Sequence, residues 1–303
     1  MTYTFGPVNS RRFGLSLGID LSPEQKSCNF DCLYCELEPA KPVEGIHNPP
    51  KVEDVVAEVK KQLARFENID VLTITANGEP TLYPNLDELI DELQKIKGDA
   101  KLLILSNASR IHEEAIQKAL AKLDIVKLSL DCATPRCFRR LDRPLKGINI
   151  ETIIEGMVAF RKRYSGLLVV EILVVAGIND KEEEFAALNE ALQRIQPDRI
   201  DIGTIDRPPA YKVEPVSYQR LFELSQKIKN FPITIVSRHN EKNKLIDLSE
   251  TEILHLLSHR PLTQSDVKSI FTPQTQKRFN KLLQNGEVKK TESGGLEFYR
   301  PTS

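Results

Sequence analysis

Cys28, Cys32 and Cys35 fall within the segment SCNFDCLYCE with the spacing C-x3-C-x2-C. Thiolates are the preferred ligands of iron–sulfur clusters and also serve zinc. Four of them close a structural site, whereas three leave a coordination position that a substrate or cosubstrate can take. Structural zinc would need a fourth local ligand, and the nearest histidine, His47, lies a dozen residues on among prolines. A disulfide would need an oxidising compartment, and the opening MTYTFG shows no charged-then-apolar signal segment. The triplet is therefore expected to hold an iron–sulfur cluster. Cys132 and Cys137 lie about a hundred residues away. Two cysteines cannot make a four-thiolate site, so they are expected to be buried, unreactive thiols, with a radical-relay role as the lesser alternative.

Such a triplet needs a framework to position it. The chain has 303 residues, with 42 basic and 43 acidic side chains and a formal charge of −1. No global field marks nucleic acid or an anionic membrane as a partner. No stretch approaches the ~18 consecutive apolar residues of a membrane span, and a cytoplasmic location is expected. After the cysteines, short runs rich in Leu, Ile and Val alternate with amphipathic segments, the pattern of repeated βα units on a parallel sheet. Strands are expected at 15–20, 70–76, 101–105, 125–130, 167–175 and 199–205. Helices are expected at 52–66, 86–96, 113–121, 150–164, 182–194 and 218–229. Pro84-Asn85, Asn149 and Asn179-Asp180 sit where helix starts belong. Six consecutive βα units suit a barrel or part of one. A doubly wound sheet is the alternative, although no G-x-G-x-x-G or Walker-type loop follows a strand.

Near residue 240 the texture changes, and 237–244 reads as a polar linker. The remainder, 241–303, reads as a small winged helix-turn-helix domain following a large domain at 1–240. Ser249 and Glu252 make a capping-box pattern, Pro261 breaks the chain before a helix at 264–270, and Thr272-Pro273 opens a third helix. Asn285-Gly286 then leads into two short strands joined through Ser293-Gly294-Gly295, a hairpin that would be the wing.

The order Cys28, Cys32, Tyr34, Cys35 resembles the C-x3-C-x-aromatic-C signature of the radical S-adenosylmethionine (SAM) superfamily. The resemblance implies an α/β fold, a partial (β/α)6 barrel of the TIM type, with the cysteine loop after the first strand. It implies one [4Fe-4S] cluster on Cys28, Cys32 and Cys35, with the amino and carboxylate groups of SAM on the fourth iron. Reductive cleavage of SAM would give a 5'-deoxyadenosyl radical that abstracts hydrogen from a substrate, fed by an electron donor such as flavodoxin or ferredoxin. Tyr34 would lie beside the adenine. Asn77-Gly78-Glu79-Pro80, at the end of the second expected strand, is similar to the Gly-Gly-Glu-Pro motif that contacts the amino group of SAM in this superfamily. Asn77 replaces the first glycine, and asparagine tolerates unusual backbone angles. Ser106 and Asn107, and Ser129 and Asp131, end the third and fourth expected strands, similar to family positions that hydrogen-bond the ribose or the methionine carboxylate. Arg143 and Arg207 are candidates to face the barrel mouth as anion partners, with surface ion pairs as the alternative. No residue is assigned to the proton or hydrogen transfer itself.

Residues 5–20, the cysteine loop and Asn77–Thr81 together resemble a branch of uncharacterised iron–sulfur oxidoreductases related to the tRNA wyosine-forming synthases. Those synthases carry a second cluster on extra N-terminal cysteines, and no cysteine precedes Cys28 here. The expected substrate is an RNA base delivered by the winged helix. Residues 241–303 carry ten basic against eight acidic side chains. Lys277, Arg278 and Lys281 share the third helix and Lys289 and Lys290 the wing, where phosphate contacts fall. Two alternatives stand: radical modification or activation of a protein or peptide docked on the same module, and a non-enzymatic iron–sulfur regulator using the module on DNA.

Overall fold

The computed structural model describes residues 2–10, 12–235, 245–259, 261–293 and 296–302. The expected linker at 237–244 and the Gly294-Gly295 turn lie outside the described residues. The chain opens with β1 (Thr4–Ser10) and β2 (Gly14–Asp20), followed by a long irregular loop that carries the cysteines. The first helix, α1 (Val52–Arg65), forms because Val52, Val55, Val56 and Val59 make one apolar stripe, which is buried. Fully burying each such side chain contributes about 1.5–3 kcal/mol. Next come β3 (Val71–Thr75), a 3-10 turn at Pro80–Leu82 and α2 (Leu86–Ile96), whose stripe is Leu86, Leu89, Ile90 and Leu93. The chain continues through β4 (Lys101–Ser106), α3 (Glu114–Leu120), β5 (Ile125–Ser129), α4 (Pro135–Leu141) and α5 (Ile150–Arg161). The large sheet is completed by β6 (Leu167–Val174), α6 (Glu182–Ile195), β7 (Arg199–Thr204), α7 (Tyr218–Ser225) and β8 (Ile233–Ile235).

These eight strands form one sheet in the order β1-β2-β3-β4-β5-β6-β7-β8. The pairing is parallel from β2 through β8, and only β1 runs antiparallel, against β2. Strand order never reverses, so there is no switch point and the doubly wound alternative falls. Alternate strand residues show where the helices lie. Leu17, Ile19, Leu72, Ile74, Val126, Leu128, Val170 and Ile202 share one core with the apolar stripes of the helices. Their neighbours Val71, Leu103, Ile125 and Val169 form a separate small cluster on the opposite face, with Phe13 against it. Helices thus cover one face, and the other face is lined by strand side chains together with Arg12 and Phe13 from the β1–β2 turn.

The C-terminal segment folds as α8 (Glu250–His259), β9 (Leu262–Thr263), α9 (Gln264–Ile270), α10 (Pro273–Gln284), β10 (Val288–Ser293) and β11 (Leu296–Pro301). A three-stranded antiparallel sheet joins them in the order β10-β11-β9. The expected capping box is present: Ser249 N donates to Glu252 Oε2 at 2.8 Å and Glu252 N donates to Ser249 Oγ at 3.4 Å. Its core is not its own. Val8 and Leu15, from β1 and β2, are buried in one cluster with Ile253, Leu256, Phe279 and Tyr299.

β1, α4, β8 and β9 have no counterpart in the sequence expectation. β1 carries Gly6-Pro7, which reads as a turn, yet as an edge strand it tolerates a residue with no N–H to donate. α4 follows Thr134-Pro135, where Thr134 Oγ1 accepts from Cys137 N at 3.3 Å and proline occupies the first turn. That turn also overturns the expectation for Cys132 and Cys137. They are joined in a disulfide, because the helix start folds the chain back and brings their Cα atoms to 5.6 Å.

Candidate metal centre

The cysteine loop is held by backbone hydrogen bonds from three sides. From the end of β3, Asn77 O accepts from Ser27 N at 2.8 Å, and Glu79 N donates to Ser27 O at 2.9 Å. From the end of α4, Leu141 O accepts from Leu33 N at 2.9 Å and Asp142 O from Asp31 N at 3.1 Å. Beyond β7, Ala210 N donates to Cys35 O at 2.8 Å. Phe30 packs its ring on the edge of Phe138, centroids 5.4 Å apart. Gly78 makes the first of these clamps possible. Its φ is +143°, and a Cβ there would stand 1.8 Å from Ser27 O.

Cys28, Cys32 and Cys35 are half-buried and unbonded to one another. Burial pushes the Cys28 thiol up to about 12, with the nearby Glu79 carboxylate adding to the effect. The Cys32 thiol is driven well above its ordinary value by burial and by Asp142, whose Oδ1 lies 3.5 Å from its sulfur. Burial also raises Cys35, against the pull of the Lys26 ammonium. Among the described residues, three ligand atoms gather within 4.8 Å of one another only at Cys132, Cys137 and Glu184. One tetrahedral ion with sulfur bonds of ~2.3 Å needs its thiolates within roughly 4 Å. The wider spread of Cys28, Cys32 and Cys35 does not fit a single zinc ion held by all three, and it fits a cluster.

Glu79 is buried and its carboxylate accepts four internal hydrogen bonds. Thr81 N at 3.0 Å, Thr81 Oγ1 at 2.6 Å and Ser106 Oγ at 2.7 Å donate to Oε1, and Asn107 N at 2.7 Å donates to Oε2. Burial raises its pKa while these donors pull it back. Glu79 and Ser106 therefore brace the turn that carries Asn77, Gly78 and Pro80. Asn107 faces the cysteines: its Nδ2 donates to Asn29 Oδ1 at 2.9 Å and lies 3.7 Å from Cys28 Sγ. Tyr34 donates its hydroxyl to Asp131, whose other oxygen accepts from Leu173 N at 2.6 Å. Burial lifts Asp131 to about 7, against the hydrogen bonds from Leu173 and Tyr34. Burial and the nearby Asp131 lift Asp142 further. A cavity lined by Phe30, Tyr34, Asn107, Ser129, Asp131 and Phe138 lies beside the cysteine loop. The structure thus brings Tyr34, Asn107, Ser129 and Asp131 to one cavity, and places Glu79 and Ser106 behind the turn.

Arg143 and Arg207 take the ion-pair alternative. Arg143 sits 3.2 Å from Asp31 and stacks over Tyr211, and Arg207 bonds Glu36 at 2.6 Å. Asn179 does not cap α6. Its side chain is fully buried, accepting from Val175 N and donating to Asp131 O and Leu173 O. The inner face of the sheet holds a group that sequence reasoning missed. Lys127 on β5 and Arg12 both bond Glu171 Oε1 on β6, and Arg12 also bonds Asp201 on β7 at 2.9 Å. Burial opposes ionisation of Glu171, but Lys127 and Arg12 prevail and hold it down to about 2. The signal was a lone charge inside each apolar strand run.

The model of the radical SAM superfamily matches residues 25–188, from the cysteine loop into α6. The chain belongs to the radical SAM superfamily, and membership implies an enzyme. Within it, the chain stands with the UPF0026 proteins. It is 41% identical over 297 residues to one from Helicobacter pylori, covering 97% of this chain and 96% of that one. It is 31% identical over 314 residues to another from Methanocaldococcus jannaschii, covering 99% and 96%. The structure of Streptococcus suis SuiB with its precursor peptide SuiA superposes with a TM-score of 0.57 at 18% identity, over 73% of this chain and 49% of that one. This likeness is one of fold, and the chain spans about half the length of that protein.

Proposed function

We propose that the chain cleaves SAM reductively on a [4Fe-4S] cluster held by Cys28, Cys32 and Cys35, and that the radical so formed abstracts hydrogen from an RNA base. When bound, the pair supplies one-electron chemistry that side chains alone lack. The protein's part is to hold and orient. The turn at Asn77–Pro80 is fixed from behind by Glu79, and Tyr34, Asn107 and Ser129 offer one aromatic face and two polar groups beside it. An electron donor such as flavodoxin or ferredoxin would supply the reducing equivalent. The observation that carries the reading is the clamp of Ser27 on Gly78, which places the cysteine triplet against that turn.

The framework reads as a partial (β/α)6 barrel with a winged helix at its C-terminus, α10 being the helix and β10–β11 the wing. A substrate would meet the inner face of the sheet, where Glu171 keeps an ionised carboxylate. Protein or peptide substrates are a second reading, favoured by one observation. Three of the basic side chains expected to meet phosphates already have carboxylate partners: Arg278 with Asp247, Lys281 with Glu250 and Lys290 with Glu297. Anaerobic reconstitution with iron and sulfide, reduction and addition of SAM should yield 5'-deoxyadenosine, and a Cys32→Ala variant should yield none. Equal yields from the two proteins would sink the proposal. RNA from a deletion strain, digested and compared by mass spectrometry, should lack one modified nucleoside. An unchanged profile together with a single captured protein partner would transfer the assignment to the second reading.

A further inference from the structure

Lys26 precedes the cysteine triplet by two residues and is only 8% exposed in its side chain. Among the described residues its Nζ has no hydrogen-bond partner. The nearest carboxylate oxygen, Asp31 Oδ1, is 4.0 Å away and is equally buried and unpartnered. Asp31 spends its other oxygen on Tyr211, whose hydroxyl donates at 2.6 Å, and on Arg143 at 3.2 Å. An ammonium taken out of water without hydrogen bonds is expensive, and a stretched ion pair does not compensate for it. Such a group persists where something else completes its surroundings. Lys26 thus lies within the cysteine loop, two residues before Cys28 and with its ammonium against Asp31, the residue before Cys32.

A three-thiolate cluster carries negative charge and becomes more negative on reduction. In a low-dielectric pocket its potential follows the nearby charges and the donors to its sulfurs. The acidic neighbours here are Asp142 beside Cys32 and Glu79 near Cys28. We propose that Lys26 is the counter-cation of the cluster, its buried ammonium held in the cysteine loop so that it stabilises the reduced state. This rests on the cluster assignment proposed above.

The test is the midpoint potential of the anaerobically reconstituted cluster in the absence of SAM, followed by electron paramagnetic resonance in a reductive titration. Wild type, K26M, K26Q and K26R are compared, with iron and sulfide content measured on each. K26M and K26Q are expected to shift to lower potential by similar amounts, whereas K26R, which keeps the charge, stays close to wild type. An unchanged potential in K26M and K26Q at full iron content overturns the inference. So does weakened SAM binding without a shift, which would make Lys26 a clamp for the SAM carboxylate. If the neutral variants take up no cluster while K26R loads fully, charge compensation is supported. Poor loading of all three variants makes Lys26 a packing residue and overturns it. Wild-type protein that takes up no iron overturns the cluster assignment and this inference together, which separates the two failures.

Discussion

Replacing Gly78 with alanine is the sharpest test of how the site is assembled. A Cβ at this position would stand 1.8 Å from Ser27 O and 2.3 Å from Ser27 C, both backbone atoms, so no rotamer change relieves the clash. The φ of +143° adds strain for any L side chain. To relax, the turn must leave the cysteine loop, which breaks the 2.8 Å bond from Ser27 N to Asn77 O and the 2.9 Å bond from Glu79 N to Ser27 O. Two backbone hydrogen bonds contribute ~1–3 kcal/mol net, and the backbone strain ~1–3 kcal/mol more. A loss of about 2–6 kcal/mol is expected, or ~4–24 °C of melting temperature at roughly 2–4 °C per kcal/mol. Gly286→Ala is the control. Its φ is +76° but nothing lies within 4 Å of the added carbon, so it should lose only ~1 kcal/mol. Calorimetry on both variants, with iron and sulfide bound after anaerobic reconstitution, decides the matter. If G78A matched wild type in melting and in iron content, the clamp would not be what seats the cysteines.

Glu171 offers a pH test. Its carboxyl is held from the ordinary 4.5 to about 2, equivalent to ~3 kcal/mol at 1.36 kcal/mol per unit. About a third of the side chain reaches solvent, which trims this to ~1–2 kcal/mol. Because the folded pKa is lowered, the contribution is present above pH ~4.5 and fades as pH falls toward 2. Urea unfolding should show E171Q less stable at pH 7, with the gap to wild type narrowing by pH 3.5; a gap that widens on acidification refutes the ion-pair account. Arg300 on β11 donates to Pro208 O at 2.7 Å and to Glu36 O at 3.2 Å, next to Cys35. R300M should speed amide exchange at 34–38 and 206–211 by about tenfold while leaving α2 unchanged, and equal exchange would detach the C-terminal module from the cysteine loop. If that module binds RNA, K277A and K289A should each lower the slope of log affinity against log salt by about one. Slopes that do not change remove those residues from any phosphate contact.

Legibility in the sequence followed periodicity and failed where contacts were long-range. α2 begins and ends where its Leu86, Leu89, Ile90 and Leu93 stripe predicts, since nothing but helix spacing buries those four. The parallel strands were legible because runs such as VLTIT and LLVVEILV are apolar on both faces. The Cys132–Cys137 bridge was not, because it depends on a helix start that Pro135 disguised as a break. Within the site, the motif spacing named Gly78 and Glu79 but could not say that Glu79 turns its carboxylate onto Ser106 and Asn107 from a strand away. Lys26 was equally invisible, since an isolated lysine before a cysteine reads as a solvated charge until its burial is known.

The C-terminal module closes a gap that the strand order leaves. A sheet that runs β1 to β8 without a β1–β8 pair among the described residues has two edge strands, and bare edges invite pairing with other chains. α8 packs against β1, Arg65 on α1 binds Glu252 on α8, and the shared core joins Val8 and Leu15 to Leu256 and Tyr299. On the far side Arg300 reaches the loop beyond β7. The module therefore bridges from the β1 edge toward the end where β7 and β8 lie, and its core is shared with Val8 and Leu15 of the N-terminal hairpin. A substrate bound to α10 or the wing would pull on an element already bonded to Glu36, the residue after Cys35. Arg300 thus ties β11 both to Glu36 and to Pro208 beyond β7.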